Sequence, residues 1–224
     1  MINENTPYVD RVLEKLMDDF DNDRIKPGEK VNALKISKEL GISRGPVREA
    51  IAILSGQGVI ELQKDVGATL KKLEAKDVVN VFNILMSVTE LAMRLAAEAN
   101  KTEQDIYEIR QSIDHIKQHA PHERSFKFYF CLHKFHYICH RLSENPLIDV
   151  AFHQMNARYM DRFLIEYIDL DVHYPTYIMT YSRMADAVIA GDADAAAAAA
   201  RYHCRWTVAQ IKKYQDTQEN MLDA

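Results

Sequence analysis

The stretch Ser43-Arg44-Gly45-Pro46-Val47-Arg48-Glu49-Ala50-Ile51 determines how the rest of this sequence is interpreted. Ser43 is a favoured helix N-cap residue, and Pro46 fits a first helical turn, where a missing N–H costs no intrahelical hydrogen bond. Apolar residues recur at helical spacing at Val47, Ile51 and Leu54. Arg44 and Arg48 are four residues apart, so we expect them to project together from the outward face near the helix start. A recognition helix presents its N-terminal residues to the DNA major groove in this way.

The neighbouring residues complete a helix-turn-helix and a hairpin. A short helix is predicted over residues 34–40, and Gly41-Ile42 supplies the tight turn that leads into the second helix. Two short strands are predicted over residues 59–62 and 68–71, on either side of a turn at residues 63–67 that contains Asp and Gly. Helix, turn, helix and hairpin in this order predict a winged helix-turn-helix domain.

This part of the sequence closely resembles the GntR family of bacterial transcription regulators. The resemblance covers about the first 72 residues, in the order and spacing of the family. The matching residues are Ile25-Lys26-Pro27-Gly28-Glu29-Lys30, Leu40-Gly41-Ile42-Ser43-Arg44, Pro46-Val47-Arg48-Glu49-Ala50, Leu54 and Gly58, with Gly67 at the position of the wing glycine. The resemblance implies sequence-specific binding to double-stranded DNA.

Seven residues are candidates for DNA contact: Lys35, Ser43, Arg44, Gly45, Arg48, Lys64 and Gly67. The resemblance assigns the main base or phosphate contacts to Arg44 and Arg48. Ser43 is expected to cap its helix and to touch a phosphate. Gly45 stands where the family commonly has a small hydroxylated residue, so one contact is missing there or is replaced by a close backbone approach. Lys64 at the wing tip either reaches the DNA or stays in solvent.

The charge of the chain is distributed unevenly. The net charge is -5 at pH 7, which by itself does not favour DNA as a partner. Within residues 24–48, however, seven basic residues stand against two acidic ones, a local excess of five positive charges. Phosphate binding depends on such a local patch rather than on the charge of the whole chain. The patch therefore supports the predicted DNA-binding surface.

The composition is typical of a globular, mostly helical protein. The chain has 224 residues, 47% of them hydrophobic, with only seven glycines and six prolines. It contains no run of about 18 or more apolar residues and no charged-then-apolar leader, so we expect no membrane span and a cytoplasmic location. The three cysteines, Cys131, Cys139 and Cys204, lack the paired spacing of metal sites, which favours reduced thiols.

A domain boundary is predicted at residues 71–76, where strand alternation gives way to helical periodicity. We expect a mainly α protein, with a winged helix-turn-helix domain at residues 1–74 and an all-helical effector-binding and dimerisation domain at residues 75–224. Six helices are predicted in the second domain, over about residues 75–100, 103–119, 123–143, 145–168, 175–190 and 193–216. In this prediction Pro175 opens the fifth helix.

The second domain resembles the FCD effector-binding domain found in one branch of the same family. The residues that carry the resemblance are Thr89-Glu90, Leu95-Ala96-Ala97, Phe135-His136, Asn145-Pro146-Leu147, Ala187-Val188-Ile189-Ala190-Gly191-Asp192, alanines 195–200 and His203. The resemblance implies a homodimeric, ligand-responsive helical bundle. Many members hold a divalent metal in the bundle centre through one Asp and three His, and the metal helps to bind a small carboxylate effector.

This sequence departs from the family's ligand set. By the resemblance, His136 and His203 match two metal-binding histidines, whereas Leu132 stands at the position of the Asp and Tyr181 at that of the third His. Met86 replaces an arginine that often receives the effector carboxylate. Two neutral imidazoles without a carboxylate make a weak divalent site, because such sites usually take three or four protein ligands.

A metal-free pocket is one interpretation of the bundle centre. His136, Tyr181 and His203 would line it, with Tyr181 as a hydrogen-bond donor to the effector. Three arginines are candidates to meet an anionic ligand, and each also suits a surface or an interface: Arg94, Arg158 and Arg162.

A metal site is the other interpretation. No cofactor is predicted outright, and a divalent Zn, Ni or Mn ion is the one candidate. His136 and His203 would hold it with help from His133, His140 or Tyr181. His136 and His140 are four residues apart, a spacing that two-histidine metal sites use.

The predicted function is a homodimeric, ligand-responsive transcription regulator, in the simplest form a repressor that a small, carboxylate-bearing metabolite releases from DNA. Effector binding would favour a dimer geometry in which the two recognition helices no longer match their half-sites. Dimer symmetry predicts a pseudo-palindromic operator.

Two alternatives remain open at this point. One is a regulator whose second domain only dimerises or senses a metal. A histidine-lined helical bundle also suits a metal-dependent enzyme, but the sequence has no His-Glu helix motif, nucleophile elbow or glycine-rich phosphate loop. No enzymatic activity is therefore expected.

Overall fold

The computed structural model describes residues 6–119 and 126–222. The chain divides into two compact units, Met1–Leu73 and Glu74–Ala224. The first combines helices with a small sheet, and the second is helical throughout its described part. The predicted fold class, a winged helix-turn-helix followed by a helical bundle, is confirmed.

The first unit contains three helices and a two-stranded antiparallel sheet. In chain order these elements are α1 (Tyr8–Asp21), α2 (Ala33–Leu40), α3 (Arg44–Gly56), β1 (Ile60–Gln63) and β2 (Gly67–Leu70). The strands begin and end one residue away from the predicted positions. Both helices of the helix-turn-helix and the hairpin lie where the sequence pattern placed them.

The turn between α2 and α3 explains how the two helices meet. The side chain of Asn32 accepts a hydrogen bond from the Lys35 backbone N–H and starts α2. Gly41 ends α2 in the left-handed conformation, at φ 65°, which costs a glycine little. α3 then packs an apolar face against α1 and α2. That face consists of Val47, Ala50, Ile51 and Leu54, all buried.

The wing is held on both of its sides. β1 pairs with β2 in a register that places Ile60 opposite Leu70 and Gln63 opposite Gly67. On the other side of β2, the Leu70 backbone N–H donates to the Glu29 carbonyl at 2.9 Å, and Lys30 bridges to Thr69. These bonds hold the base of the hairpin against the segment that precedes α2.

The second unit is a bundle of seven described helices. They are α4 (Ala75–Glu98), α5 (Glu103–Gln118), α6 (Phe126–Leu142), α7 (Pro146–Gln154), α8 (Ala157–Tyr167), α9 (Leu170–Ala190) and α10 (Ala193–Leu222). α4 packs along α10 and also contacts α6, α7, α8 and α9. Glu90 of α4 forms an ion pair with Arg201 of α10, which ties these two long helices together.

Several predicted helix limits were wrong. The predicted fourth helix is two helices, because Asn156 adopts the left-handed conformation at φ 43° and its side chain caps α8 by accepting from the Tyr159 backbone N–H. α9 begins at Leu170, since Asp169 provides a cap one turn before the predicted start at Pro175. Pro175 lies inside α9 and removes one intrahelical hydrogen bond without ending the helix. The predicted start of the third helix, near Glu123, lies outside the described residues.

α4 is long and apolar enough to cross a membrane, judged by length and composition alone. The central helix of a soluble bundle meets the same criteria, because it is covered by other helices on several sides. α4 contacts five other helices, and Ala92, Met93 and Ala96 are completely buried, but only 33% of its apolar window is buried. One such helix is weak support for a membrane span.

Candidate functional site

The start of α3 presents two arginines to solvent. Arg44 and Arg48 are both exposed, while Val47 between them is completely buried. Among the residues that the structure describes, neither guanidinium forms an ion pair. An unpaired guanidinium beside a helix N-terminus is suited to phosphate and base-edge acceptors.

Ser43 and Gly45 flank Arg44 at this helix start. Ser43 occupies the N-cap position, but its side chain makes no cap hydrogen bond, contrary to the predicted capping role. Its hydroxyl is thereby left for another partner. A Cβ atom built on Gly45 would meet only the Ser43 Oγ atom, at 3.7 Å, which is ordinary van der Waals contact. The backbone there has room for a small side chain.

The other predicted DNA contacts are Lys35 on α2 and Lys64 and Gly67 in the wing. Lys35 on α2 is exposed, and its Nζ atom lies 3.8 Å from a Glu39 carboxylate oxygen, so part of its charge is balanced. Lys64 is exposed in the three-residue turn of the wing. Gly67 starts β2 at φ 96°, and a Cβ there would lie 3.4 Å from the Lys30 side chain. A larger residue at this position would therefore be strained.

A cavity of about 60 Å³ lies in the bundle of the second unit. Its wall includes side chains from α4, α6, α7, α8, α9 and α10. The structure brings together three of the predicted effector residues here: His136, Tyr181 and His203. All three are more than nine-tenths buried. Most of the remaining wall is apolar or aromatic, as in many ligand sites.

His136 and Tyr181 are joined by a buried hydrogen bond. The His136 Nε2 atom lies 2.9 Å from the Tyr181 hydroxyl. Burial and the neighbouring histidines hold the pKa of His136 well below its usual range, and burial raises the pKa of Tyr181 well above its own. Both groups are therefore neutral at pH 7. The His136 Nδ1 atom is buried and has no hydrogen-bond partner among the described residues.

His203 is oriented by α9. Its Nδ1 atom lies 3.0 Å from the Thr180 hydroxyl, which itself donates to the Thr176 carbonyl at 2.9 Å. The Thr180 hydroxyl also lies 3.1 Å from the Tyr177 carbonyl, so its one proton has several acceptors in range, and the tautomer of His203 decides whether Nδ1 donates or accepts. The Nε2 atom is left for another partner. Burial lowers the pKa of His203 to about 4, so the ring is neutral at pH 7.

A second polar pair in the cavity wall was not predicted from the sequence. The His133 Nε2 atom lies 2.6 Å from the Asp161 Oδ2 atom, and both side chains line the cavity. Burial lowers the pKa of His133, but the charge and hydrogen bond of Asp161 outweigh it, so the net pKa is raised. The signal was present in the sequence, because Asp161 follows Ala157 by four residues and precedes Leu164 by three, within the apolar face of α8.

The predicted cations lie away from this cavity. The Arg94 guanidinium is 2.8 Å from the Asp194 carboxylate and links α4 to α10. Arg158 is exposed on α8, and Arg162 on the same helix is half-buried. None of these three arginines is part of the cavity wall. The structure thus does not bring them together with His136.

The metal ligand set implied by the family does not fit these residues. Leu132 is part of the cavity wall at the position of the Asp, and Tyr181 at that of the third His keeps its proton. His140 faces Asp149 instead, with 3.2 Å between its Nδ1 atom and the carboxylate. In residues 6–119 and 126–222, no group of three or more His, Cys, Asp or Glu side chains is arranged to hold a metal ion.

The fold and these two sites define a class of protein: transcription regulators with a winged helix-turn-helix and a separate helical regulatory domain. The chain belongs to the GntR family. Residues 8–70 match the model of the bacterial regulatory proteins of the gntR family, and residues 80–205 match the FCD domain. The family predicted from the sequence is confirmed. The chain is a DNA-binding transcription regulator of this family.

Two curated relatives illustrate the similarity. The uncharacterized HTH-type transcriptional regulator YdhC of Bacillus subtilis is 32% identical over 108 residues, which is 48% of each chain. A probable D-xylose utilization operon transcriptional repressor of Paenarthrobacter nicotinovorans is 26% identical over 198 residues, 88% of this chain and 86% of the relative. The chain thus spans about half the length of the Bacillus relative and 86% of the length of the Paenarthrobacter relative.

Solved structures share the fold. E. coli McbR/YncC has a TM-score of 0.75 at 18% identity, over 93% of this chain and 98% of the other. A putative GntR regulator from Rhodococcus sp. RHA1 has a TM-score of 0.73 at 21% identity, over 93% and 99%.

Proposed function

We propose that this protein is a homodimeric, cytoplasmic repressor that binds a pseudo-palindromic operator and releases it when a small metabolite occupies the bundle cavity. Residues 1–74 would bind DNA, and residues 75–224 would dimerise and take up the effector. The observation that carries the proposal is the cavity itself, because six helices contribute to its wall and it contains the buried His136, Tyr181 and His203.

The DNA contacts in this proposal come from the start of α3, from α2 and from the wing. Arg44 and Arg48 would make the main base or phosphate contacts, as recognition helices do. The remaining contacts would come from Lys35, Ser43, Gly45, Lys64 and Gly67. The exposure of these residues supports the assignment. The wing glycine would let the backbone of β2 approach a phosphate.

The size of the cavity supports a population shift as the mechanism. A cavity of about 60 Å³ is smaller than the ~150 Å³ that holds a benzene molecule. An effector of more than a few atoms therefore has to move the helices apart. The bound form favours a different arrangement of the dimer, and the operator is released by the difference in effector affinity between the two arrangements.

The test has two parts, both made with the full chain. Selection from random DNA should yield a site with two-fold symmetry, and sedimentation should show a dimer bound to it. A thermal-shift panel of sugars, sugar acids, hydroxy acids, amino acids and fatty acyl compounds should yield a compound that raises the Tm, because a ligand of the folded state stabilises by mass action. That compound should also weaken operator binding. A panel without any stabilising compound would favour a domain that only dimerises.

A further inference from the structure

The charges around the bundle cavity differ from what a carboxylate effector needs. Within the described residues of the cavity wall, none is Arg or Lys, and the charged groups are Asp161 and its partner His133. When the His133–Asp161 pair is ionised, its two charges cancel. The wall then offers a carboxylate no unmatched positive charge.

The wall leaves both donors and acceptors for a ligand. The Nδ1 atoms of His133 and His136 are buried and have no hydrogen-bond partner among the described residues. The His203 Nδ1 atom pairs with the Thr180 hydroxyl, which leaves its Nε2 atom for a ligand. The Asp161 carboxylate accepts, and one of its oxygens is engaged by His133. The His136–Tyr181 pair can present either a donor or an acceptor, depending on which of the two holds the shared proton.

A carboxylate brings only acceptors and a negative charge to such a wall. It would face the Asp161 carboxylate without an Arg or Lys in the described wall to balance its own charge, and burying an unpaired charge is costly. A hydroxyl group, in contrast, donates to an acceptor and accepts from a donor while it stays uncharged. It therefore matches His203, Asp161 and the His136–Tyr181 pair together.

We infer that the cavity binds a small, uncharged molecule that carries hydroxyl groups, and that it discriminates against carboxylates of the same size. The inference rests on the proposed function only in taking this cavity as the effector site. It replaces the carboxylate chemistry that the family resemblance implies, because Leu132 and Tyr181 stand at two of the four metal-ligand positions and no arginine is among the described residues of this wall.

Three probe molecules with one carbon skeleton and different charges test the inference: propane-1,2-diol, lactate and 1-amino-2-propanol. Binding to the full chain is measured by saturation-transfer NMR, in a buffer that contains a metal chelator. The diol is expected to bind, and lactate at least about tenfold more weakly, since its charge is buried without a counter-charge. Tighter binding of lactate or of the amine than of the diol overturns the inference, as does a lack of binding by all three.

Asp161→Asn provides a matched variant of nearly equal shape. Removing the carboxylate should weaken diol binding and reduce the ratio of the diol affinity to the lactate affinity. An unchanged diol-to-lactate ratio in a folded variant contradicts the role of Asp161. Ala157→Leu fills part of the cavity and should abolish diol binding, whereas binding that persists places the diol elsewhere and overturns the inference. The ranking of the three probes in the unaltered protein does not depend on either variant folding.

Operator binding separates this inference from the proposed function. If the diol binds in the cavity but leaves operator affinity unchanged at saturation, the ligand chemistry stands and the regulatory role of the cavity fails. If lactate binds more tightly and releases the operator, the regulatory role stands and the inference about charge fails.

Discussion

The Nε2 atom of His133 lies 2.6 Å from the Oδ2 atom of Asp161, and this contact joins α6 to α8 in the wall of the bundle cavity. The pair puts a carboxylate into the cavity 29 positions beyond Leu132, the residue at the place of the family Asp. That carboxylate is hydrogen-bonded to His133. It also changes the electrostatic character of the cavity, on which the following predictions depend.

Acid should destabilise the protein through His203. Burial lowers its folded pKa to about 4, so the unfolded chain binds this proton more readily. The stability that depends on the neutral ring is complete above about pH 6.5. It is lost as the pH falls toward 4, and the loss reaches about 2 kcal/mol at pH 5. Urea unfolding between pH 5 and pH 8, monitored by circular dichroism, measures this slope.

His203→Gln should make that slope shallower, because the variant has no ring at this position to protonate, while the buried His136, whose pKa is also lowered, still contributes to the slope. The exposed His119 provides a control, and His119→Gln should keep the slope of the unaltered protein. The titratable groups around His203 include Tyr177 and Tyr181 of α9, whose pKa values burial raises, so neither ionises in this range. A slope that is equally steep in His203→Gln would contradict the assignment.

Tyr181→Phe should destabilise the bundle and weaken effector binding. The change leaves the His136 Nε2 atom buried without its partner at 2.9 Å, and an unsatisfied buried group costs about 1–3 kcal/mol. Tyr129→Phe is the matched control, since its hydroxyl reaches the Tyr177 hydroxyl only at 3.4 Å. Urea unfolding should therefore give a clearly smaller loss for Tyr129→Phe, and equal losses would argue against the His136–Tyr181 bond.

Arg48→Ala should reduce operator affinity more than it reduces affinity for unrelated DNA. If Arg48 reads a base edge, the loss of specific binding is about 1–3 kcal/mol. Lys64→Ala in the wing should instead weaken binding to all sequences about equally and lower the salt dependence, as expected for a phosphate contact. Fluorescence anisotropy at several salt concentrations distinguishes the two. Unchanged operator affinity in Arg48→Ala would remove it from the recognition surface.

Gly45→Ser should be accepted by the fold. A Cβ at this position lies 3.7 Å from the Ser43 Oγ atom, and replacing a helical glycine should add up to about 0.5 kcal/mol of stability. The new hydroxyl is of the kind that the family commonly has at this position, so it should add a contact and raise the affinity for DNA. Gly45→Ala separates the two effects, because it gains stability without a hydroxyl. Lower stability in both variants would show that the helix start needs glycine.

Zinc should raise the Tm only after the family's ligands are restored. The unaltered protein offers Leu132 and a protonated Tyr181 at two of the four positions, so no metal-dependent shift is expected. The double variant Leu132→Asp, Tyr181→His supplies the missing carboxylate and imidazole, and three or more ligands suffice for zinc. Leu132→Asp alone is the control. A rise in Tm with zinc in the unaltered protein would show that His136 and His203 bind metal without the two introduced ligands.

Much of the DNA-binding half followed from the sequence. The helix-turn-helix depends on local signals, namely the apolar spacing of Val47, Ile51 and Leu54 and the left-handed Gly41 that ends α2. Such signals act within a few residues, so the sequence pattern located the helices and the wing to within about one residue. The prediction failed locally at Ser43, whose hydroxyl makes no cap bond although its backbone occupies the cap position.

The helix limits of the second domain were predicted less completely from the sequence. The break between α7 and α8 depends on a single asparagine in the left-handed conformation, and no glycine or proline marks it in the sequence. In the same way, the predicted start of α9 at Pro175 ignored the cap that Asp169 forms one turn earlier. Both errors concern the ends of helices, where one side-chain hydrogen bond decides between two nearly equal alternatives.

The sequence by itself determined the family, the fold and the three residues His136, Tyr181 and His203 in the cavity wall. Only the tertiary structure decided what surrounds them. It pairs His133 with Asp161 across 28 residues of sequence and places Arg94 against Asp194, away from the cavity. Local periodicity identifies which face of a helix is buried, but the charge of a cavity depends on how six helices pack, and that packing joins residues far apart in the chain.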